Sequence, residues 1–139
     1  MKAALAQLDF HVGNFEHNTA KIIDAVQNAK KANAKLIVFP ELAVSGYPPR
    51  DFLTFKSFIN KCYESLKNIA LHCYGITAVV GSPEVNTDGI GKSLYNSAFV
   101  LSNGKINSSV RKTLLPDYDV FDEYRYFEPN RNFNVVEID

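Results

Sequence analysis

The sequence predicts an α/β fold, grading into α+β: one sheet with helices over one face. Three observations carry this reading. Short apolar runs at residues 2–9, 36–39 and 76–81 alternate with two segments of helical spacing. The second of those segments steps by three and four from Phe52 through Phe55, Ile59, Cys62, Leu66 and Ile69 to Cys73. Asn103-Gly104 then separates two strand-like runs, a strong short-range hairpin signal.

Residues 2–9 read as a first, buried strand, broken by Gly13-Asn14. Residues 16–33 repeat apolar groups around Ile22, Val26 and Ala29, so a helix is expected there, ended by Asn33. Leu36-Ile37-Val38-Phe39 is the second strand, stopped by Pro40. Gly46, Pro48 and Pro49 make a rigid loop before the second helix, which Gly75 is expected to close. A third strand over residues 76–81 leads to a polar loop, Asn86 to Gly91. The hairpin joins Leu94–Leu101 to Lys105–Val110. Residues 116–133 have no clean period and read as a long structured loop with room for one helical turn. Phe133 to Ile138 is expected to be a last strand. The helix-linked early strands should be parallel, with right-handed crossovers.

A chain of 139 residues suits one domain, 1–139, without repeat or linker. Fifteen basic residues balance fifteen acidic ones, which gives no electrostatic reason to bind nucleic acid or an anionic membrane. The apolar runs reach only about four or five residues, against the ~18 of a membrane span. Met1-Lys2 opens no signal peptide, so a cytoplasmic location is expected, and the Asn107-Ser108-Ser109 sequon has no use there. Cys62 and Cys73 form neither a disulfide framework nor a metal motif, and both sit on the apolar stripe as small hydrophobes. His11, His17 and His72 have no ligand spacing. Gly91-Lys92-Ser93 echoes a phosphate loop, but Asn86 stands where the leading glycine belongs and a strand follows.

Two charged residues stand at strand exits. Glu41 follows Val38-Phe39-Pro40, where a rigid sheet could hold a desolvated carboxylate as a general base. Lys112 follows the hairpin's second strand, where an ammonium could hold a developing oxyanion. A capping or surface glutamate and a solvent-facing lysine fit the same residues. The stretch from Asp117 to Pro129 is dense in acids and aromatics, which argues against disorder.

Together these segments resemble the nitrilase, or carbon–nitrogen hydrolase, superfamily. The resemblance covers the whole chain. It rests on Gln7-Leu8-Asp9, Val12-Gly13-Asn14 and Asn18, on Phe39-Pro40-Glu41-Leu42 with Gly46-Tyr47, and on Arg111 to Pro116. Gly46-Tyr47-Pro48-Pro49-Arg50-Asp51 and the run from Tyr118 to Phe127 look like the glutaminase branch that serves glutamine-dependent NAD+ synthesis. The resemblance implies half of a four-layer αββα sandwich and a Glu-Lys-Cys triad. Glu41 would be the base, Lys112 the group that stabilises the tetrahedral intermediate, and Glu123 a second glutamate that positions lysine and substrate. Tyr47, Tyr118 and Phe121 would line the glutamine pocket.

The family's nucleophilic cysteine follows the lysine by several dozen residues, beyond Asp139. An incomplete glutaminase domain, inactive alone, is therefore expected. The resemblance implies glutamine as substrate, no metal or cofactor in this domain, and ATP and Mg in a C-terminal synthetase domain. An uncovered sheet face implies a homo-oligomer. A free-standing amidase or ω-amidase, and a non-catalytic α/β interaction domain, remain the alternatives.

Overall fold

The computed structural model describes residues 1–138. Five strands form one sheet in the order β1-β2-β3-β4-β5. They are β1 (Ala3–Leu5), β2 (Leu36–Val38), β3 (Thr77–Val85), β4 (Leu94–Ser102) and β5 (Lys105–Arg111). Helix α1 (Phe15–Lys31) crosses from β1 to β2, and α2 (Lys56–Ala70) from β2 to β3. Both crossovers leave parallel neighbours, whereas β3, β4 and β5 run antiparallel. A four-residue helix, α3 (Glu123–Tyr126), interrupts the long loop.

Side chains alternate across each strand, so the register assigns every residue to a face. Ile37 pairs with Ala78, Val80 with Phe99, and Ala78 with Leu101, and all of these are buried. This face meets the helices. The buried residues of α1 (Asn18, Thr19, Ile22, Val26, Ala29) and of α2 (Phe58, Ile59, Cys62, Ser65, Leu66, Ile69, Ala70) recur at helical spacing. Leu5, Val38, Val79, Ala98 and Val110 lie on the opposite face. No helix covers that face among the described residues. Leu5 is 83% exposed and Val110 44%.

Most turn signals act as written. Asn14 caps α1, its side chain accepting the His17 N–H. Asn33 ends that helix at φ 59°, in the left-handed region asparagine tolerates. Asn103 and Gly104 both take positive φ, as a two-residue hairpin turn demands.

Four expectations need correction. The first strand is three residues long and is not buried, because β1 is an edge strand and Leu5 points to the uncovered face. Phe52 belongs to a 3₁₀ turn (Arg50–Thr54) and Phe55 caps α2, and both rings are more than half exposed. The apolar stripe of the second helix thus starts at Phe58, against which Phe52 and Phe15 pack. Gly75 lies beyond the C-cap Leu71 and shapes the entry to β3 instead. Residues 133–138 join no ladder, and Phe133 and Val135 are exposed. An alternating apolar pattern makes a strand only where a neighbouring backbone supplies its hydrogen bonds.

Candidate active site

Pro40 breaks β2, and the chain then turns sharply across β3 at Gly81. A Cβ at Gly81 would fall on the Leu42 amide nitrogen and within 2.9 Å of the Pro40 carbonyl oxygen. Leu42, fully buried, is held at φ 48°, a conformation costing about 1–3 kcal/mol in a residue with a side chain. Asn18 braces this turn from α1, donating to the carbonyls of His11 and Val44 and accepting the His11 N–H. Glu41 is thereby fixed at the end of the uncovered sheet face. Gly81→Ala is expected to lower folding stability by about 1–3 kcal/mol, because the backbone of residues 40–42 resists the added methyl. Denaturant unfolding of the two proteins measures the difference.

Lys112 reaches the same end from β5. Its N–H donates to the Asn96 carbonyl, and its carbonyl accepts the Asn130 N–H, so the backbone is tied on both sides. By alternation Asn96 and Lys112 share the face of Ala98 and Val110. The Lys112 Nζ lies 2.8 Å from Glu41 Oε1 and 2.9 Å from Glu123 Oε2. Burial alone would lower the Lys112 pKa. The hydrogen bonds and charges of Glu123 and Glu41 outweigh burial and hold it above the ordinary 10.5.

Glu123 is the first residue of α3, set there by its own N–H bonding to the Pro116 carbonyl. Its side chain is only 6% exposed. A buried carboxylate needs partners, and Glu123 has three: Lys112, Tyr47 through its hydroxyl at 2.9 Å, and Asn96 at 3.4 Å. Burial, then the hydrogen bond and charge of Glu123, push the Tyr47 phenol far up, so it stays a neutral donor. Glu41 differs from expectation: its side chain is 42% exposed rather than desolvated.

The aromatic residues divide. Tyr47 touches the cluster, and the Phe121 ring centre lies 6.5 Å from that of Tyr47. Tyr118 packs its edge on Phe121 but is 67% exposed. The largest space beside the charges is a groove of about 340 Å³ on the uncovered face, bounded by Val38, Phe39, Val79, Ala98, Glu41 and Lys112.

Sequence reasoning missed Asn96. Its amide donates to Glu41 Oε1 at 2.5 Å as well as to Glu123. The available signal was a lone amide in a strand whose other residues are aliphatic, aromatic or serine. It also missed that Arg111 points to the helix side, where Glu84 and Asp88 bind it and Tyr95 stacks on it. Cys62 and Cys73 lie in the core as expected. Burial pushes their thiols up to about 12 and about 11, so neither is a reactive thiolate. Among the described residues no group of three or more His, Cys, Asp or Glu could hold a metal ion.

Residues 2–139 fit the family described as carbon-nitrogen hydrolase. The chain belongs to that family. Among carbon-nitrogen hydrolase relatives, a glutamine-dependent NAD(+) synthetase of Xanthomonas campestris pv. campestris is 44% identical over 129 residues. That match covers 92% of this chain and 23% of the relative. The solved glutamine-dependent NAD+ synthetase of Acinetobacter baumannii, in complex with adenosine diphosphate, superposes with a TM-score of 0.88 at 38% identity. It covers 97% of this chain and 25% of that one. An amidase from Nesterenkonia sp. gives a TM-score of 0.76 at 26% identity, covering 95% of this chain and 49% of the amidase. The chain therefore spans about a quarter of the length of the synthetases it matches. Its α/β architecture, helices on one side of the sheet, is that of half a nitrilase-type αββα sandwich. Among the described residues no helix is long and apolar enough to cross a membrane.

Proposed function

We propose that this chain forms part of a glutaminase domain that releases ammonia from glutamine, within a protein that uses the ammonia to make NAD+ from its deamido precursor and ATP. The observation that carries this reading is the Lys112 ammonium bridging Glu41 and Glu123 at 2.8 and 2.9 Å, at the mouth of the open groove. Such a cluster suits acyl transfer from an amide. Glu41 takes the proton of an incoming thiol. The thiolate attacks the amide carbon, and the carbonyl oxygen gains negative charge. Lys112, held cationic by its two carboxylates, stabilises that oxyanion. Glu41 returns the proton to the departing nitrogen as ammonia leaves, and water then cleaves the thioester. Glu123, locked by Tyr47 and Asn96, fixes the lysine. Tyr47 and Phe121, with Tyr118 at the rim, bound the glutamine side of the site.

The thiol is supplied by sequence outside these 139 residues, since both cysteines here are core. The half-exposed apolar face fits a second sheet of the same domain, and the synthetase domain would carry the ATP and Mg. Exposure of this face in the isolated chain favours self-association. The domain itself needs no cofactor for the steps above. Ammonia release from glutamine by the intact protein tests the reading. Turnover with glutamine, coupled to NAD+ formation, is the expected result. Hydrolysis of simple aliphatic amides with no preference for glutamine would favour the free-standing amidase reading, which the Nesterenkonia likeness keeps in view.

A further inference from the structure

Asn96 occupies an unusual place: its main chain and its side chain hold three different members of the cluster. Its carbonyl accepts the Lys112 N–H at 2.8 Å. Its amide reaches Glu41 Oε1 at 2.5 Å and Glu123 Oε2 at 3.4 Å. Both side-chain partners are carboxylate oxygens, so the nitrogen must face them. Asn96 itself is 3% exposed and cannot swing into solvent.

The pattern on Glu41 is asymmetric. Oε1 accepts from both Lys112 and Asn96. Among the described residues no hydrogen bond reaches Oε2. A carboxylate oxygen already holding two strong donors is a poor proton acceptor, whereas its partner atom holds none on a residue that lines the groove. We propose that Asn96 is a positioning residue that, with Lys112, saturates Oε1 of Glu41 and so commits Oε2 to receive the nucleophile's proton. This inference rests on the glutaminase reading above.

Charged and titratable groups around Glu41 come from several elements. Lys112 faces it from the end of β5 and Glu123 from α3. Tyr47 stands behind Glu123, with Arg50 beyond it. Arg111 is turned away to Glu84 and Asp88. Removing Asn96 therefore deletes a donor to the charged form of Glu41 and leaves Lys112 in place. The ionised carboxylate becomes less favourable, and the acid limb of the pH profile must rise.

The experiment is the pH dependence of glutamine hydrolysis by the intact protein carrying Asn96→Ala or Asn96→Asp. The expected result is an acid limb of kcat/KM displaced upward by about one pH unit in Asn96→Ala. A further displacement is expected in Asn96→Asp, which keeps the size but adds a third carboxylate, and KM should change less than kcat. A folded variant of either kind with the parent's acid limb would overturn the proposal. So would loss of the fold in both, since Asn96 would then serve the core alone. If the parent protein releases no ammonia, the glutaminase reading falls. The proposal is then decided by the Glu41 carboxyl titration, followed by 13C NMR in parent and variants.

Discussion

Glu41→Gln is expected to reduce ammonia release from glutamine by roughly 10²–10⁴-fold, the usual range for loss of a general base. The substitution keeps size and shape. A glutamine oxygen can still accept from Lys112 and Asn96, so the contacts at Oε1 survive in neutral form. What disappears is the carboxylate oxygen proposed to accept the thiol's proton. The effect should fall on kcat rather than on glutamine affinity, because the role proposed for Glu41 is on the thiol and the leaving nitrogen. Folding should barely change. The Glu41 side chain is 42% exposed, and exposed ion pairs contribute only about 0–1 kcal/mol. Steady-state kinetics and thermal melting on the same preparations separate the two effects.

Lys112→Met is expected to cost both activity and stability. Removing the cation proposed to face the developing oxyanion should lower kcat by about 10²–10³-fold. The stability loss has a different origin. Glu123 is 6% exposed and pairs with Lys112 at 2.9 Å, so the variant leaves a buried carboxyl group with only neutral donors. Breaking a fully buried pair costs about 3–5 kcal/mol. Lys112 is 31% exposed, so about 1–3 kcal/mol is the expected loss here after discounting for solvent. The pH dependence follows from the sign of the shift. The folded-state pKa of Lys112 is raised above 10.5, so its contribution is complete below that value and is lost as pH rises through the folded pKa. The stability gap between parent and Lys112→Met should therefore hold steady from neutral pH to about pH 10 and narrow above it. Denaturant unfolding at several pH values tests the trend.

The parts of this molecule written in local sequence were legible without coordinates. Ile22, Val26 and Ala29 repeat at helical spacing, Pro40 stops a strand, and Asn103-Gly104 makes a hairpin. Each of these depends on residues within a few positions of one another. Glu41 and Lys112 were legible as charges at strand exits, and the family resemblance gave them partners. What could not be read depends on distant pairing. Glu123 turns inward while Asp117, Asp119 and Asp122 do not, because only position 123 is delivered under Tyr47 by the Pro116 carbonyl. Local composition treats those four acids alike, and only the family resemblance singled out Glu123. Asn96 is chemically ordinary until β3 and β5 set it between two carboxylates contributed by residues 41 and 123. The short, exposed β1 and the unpaired residues 133–138 failed for the same reason. An apolar pattern records which side chains prefer burial, and a second layer must exist to bury them.

The most direct test of the convergent cluster is a crystal structure of the intact protein after covalent capture of its nucleophile by a glutamine-derived electrophile. The account predicts a modified cysteine sulfur within about 3.5 Å of a Glu41 carboxylate oxygen. Lys112 should face the former carbonyl oxygen, with the ligand side chain running past Tyr47 and Phe121. A modified cysteine in another part of the protein, with Glu41 and Lys112 facing only solvent, would contradict it.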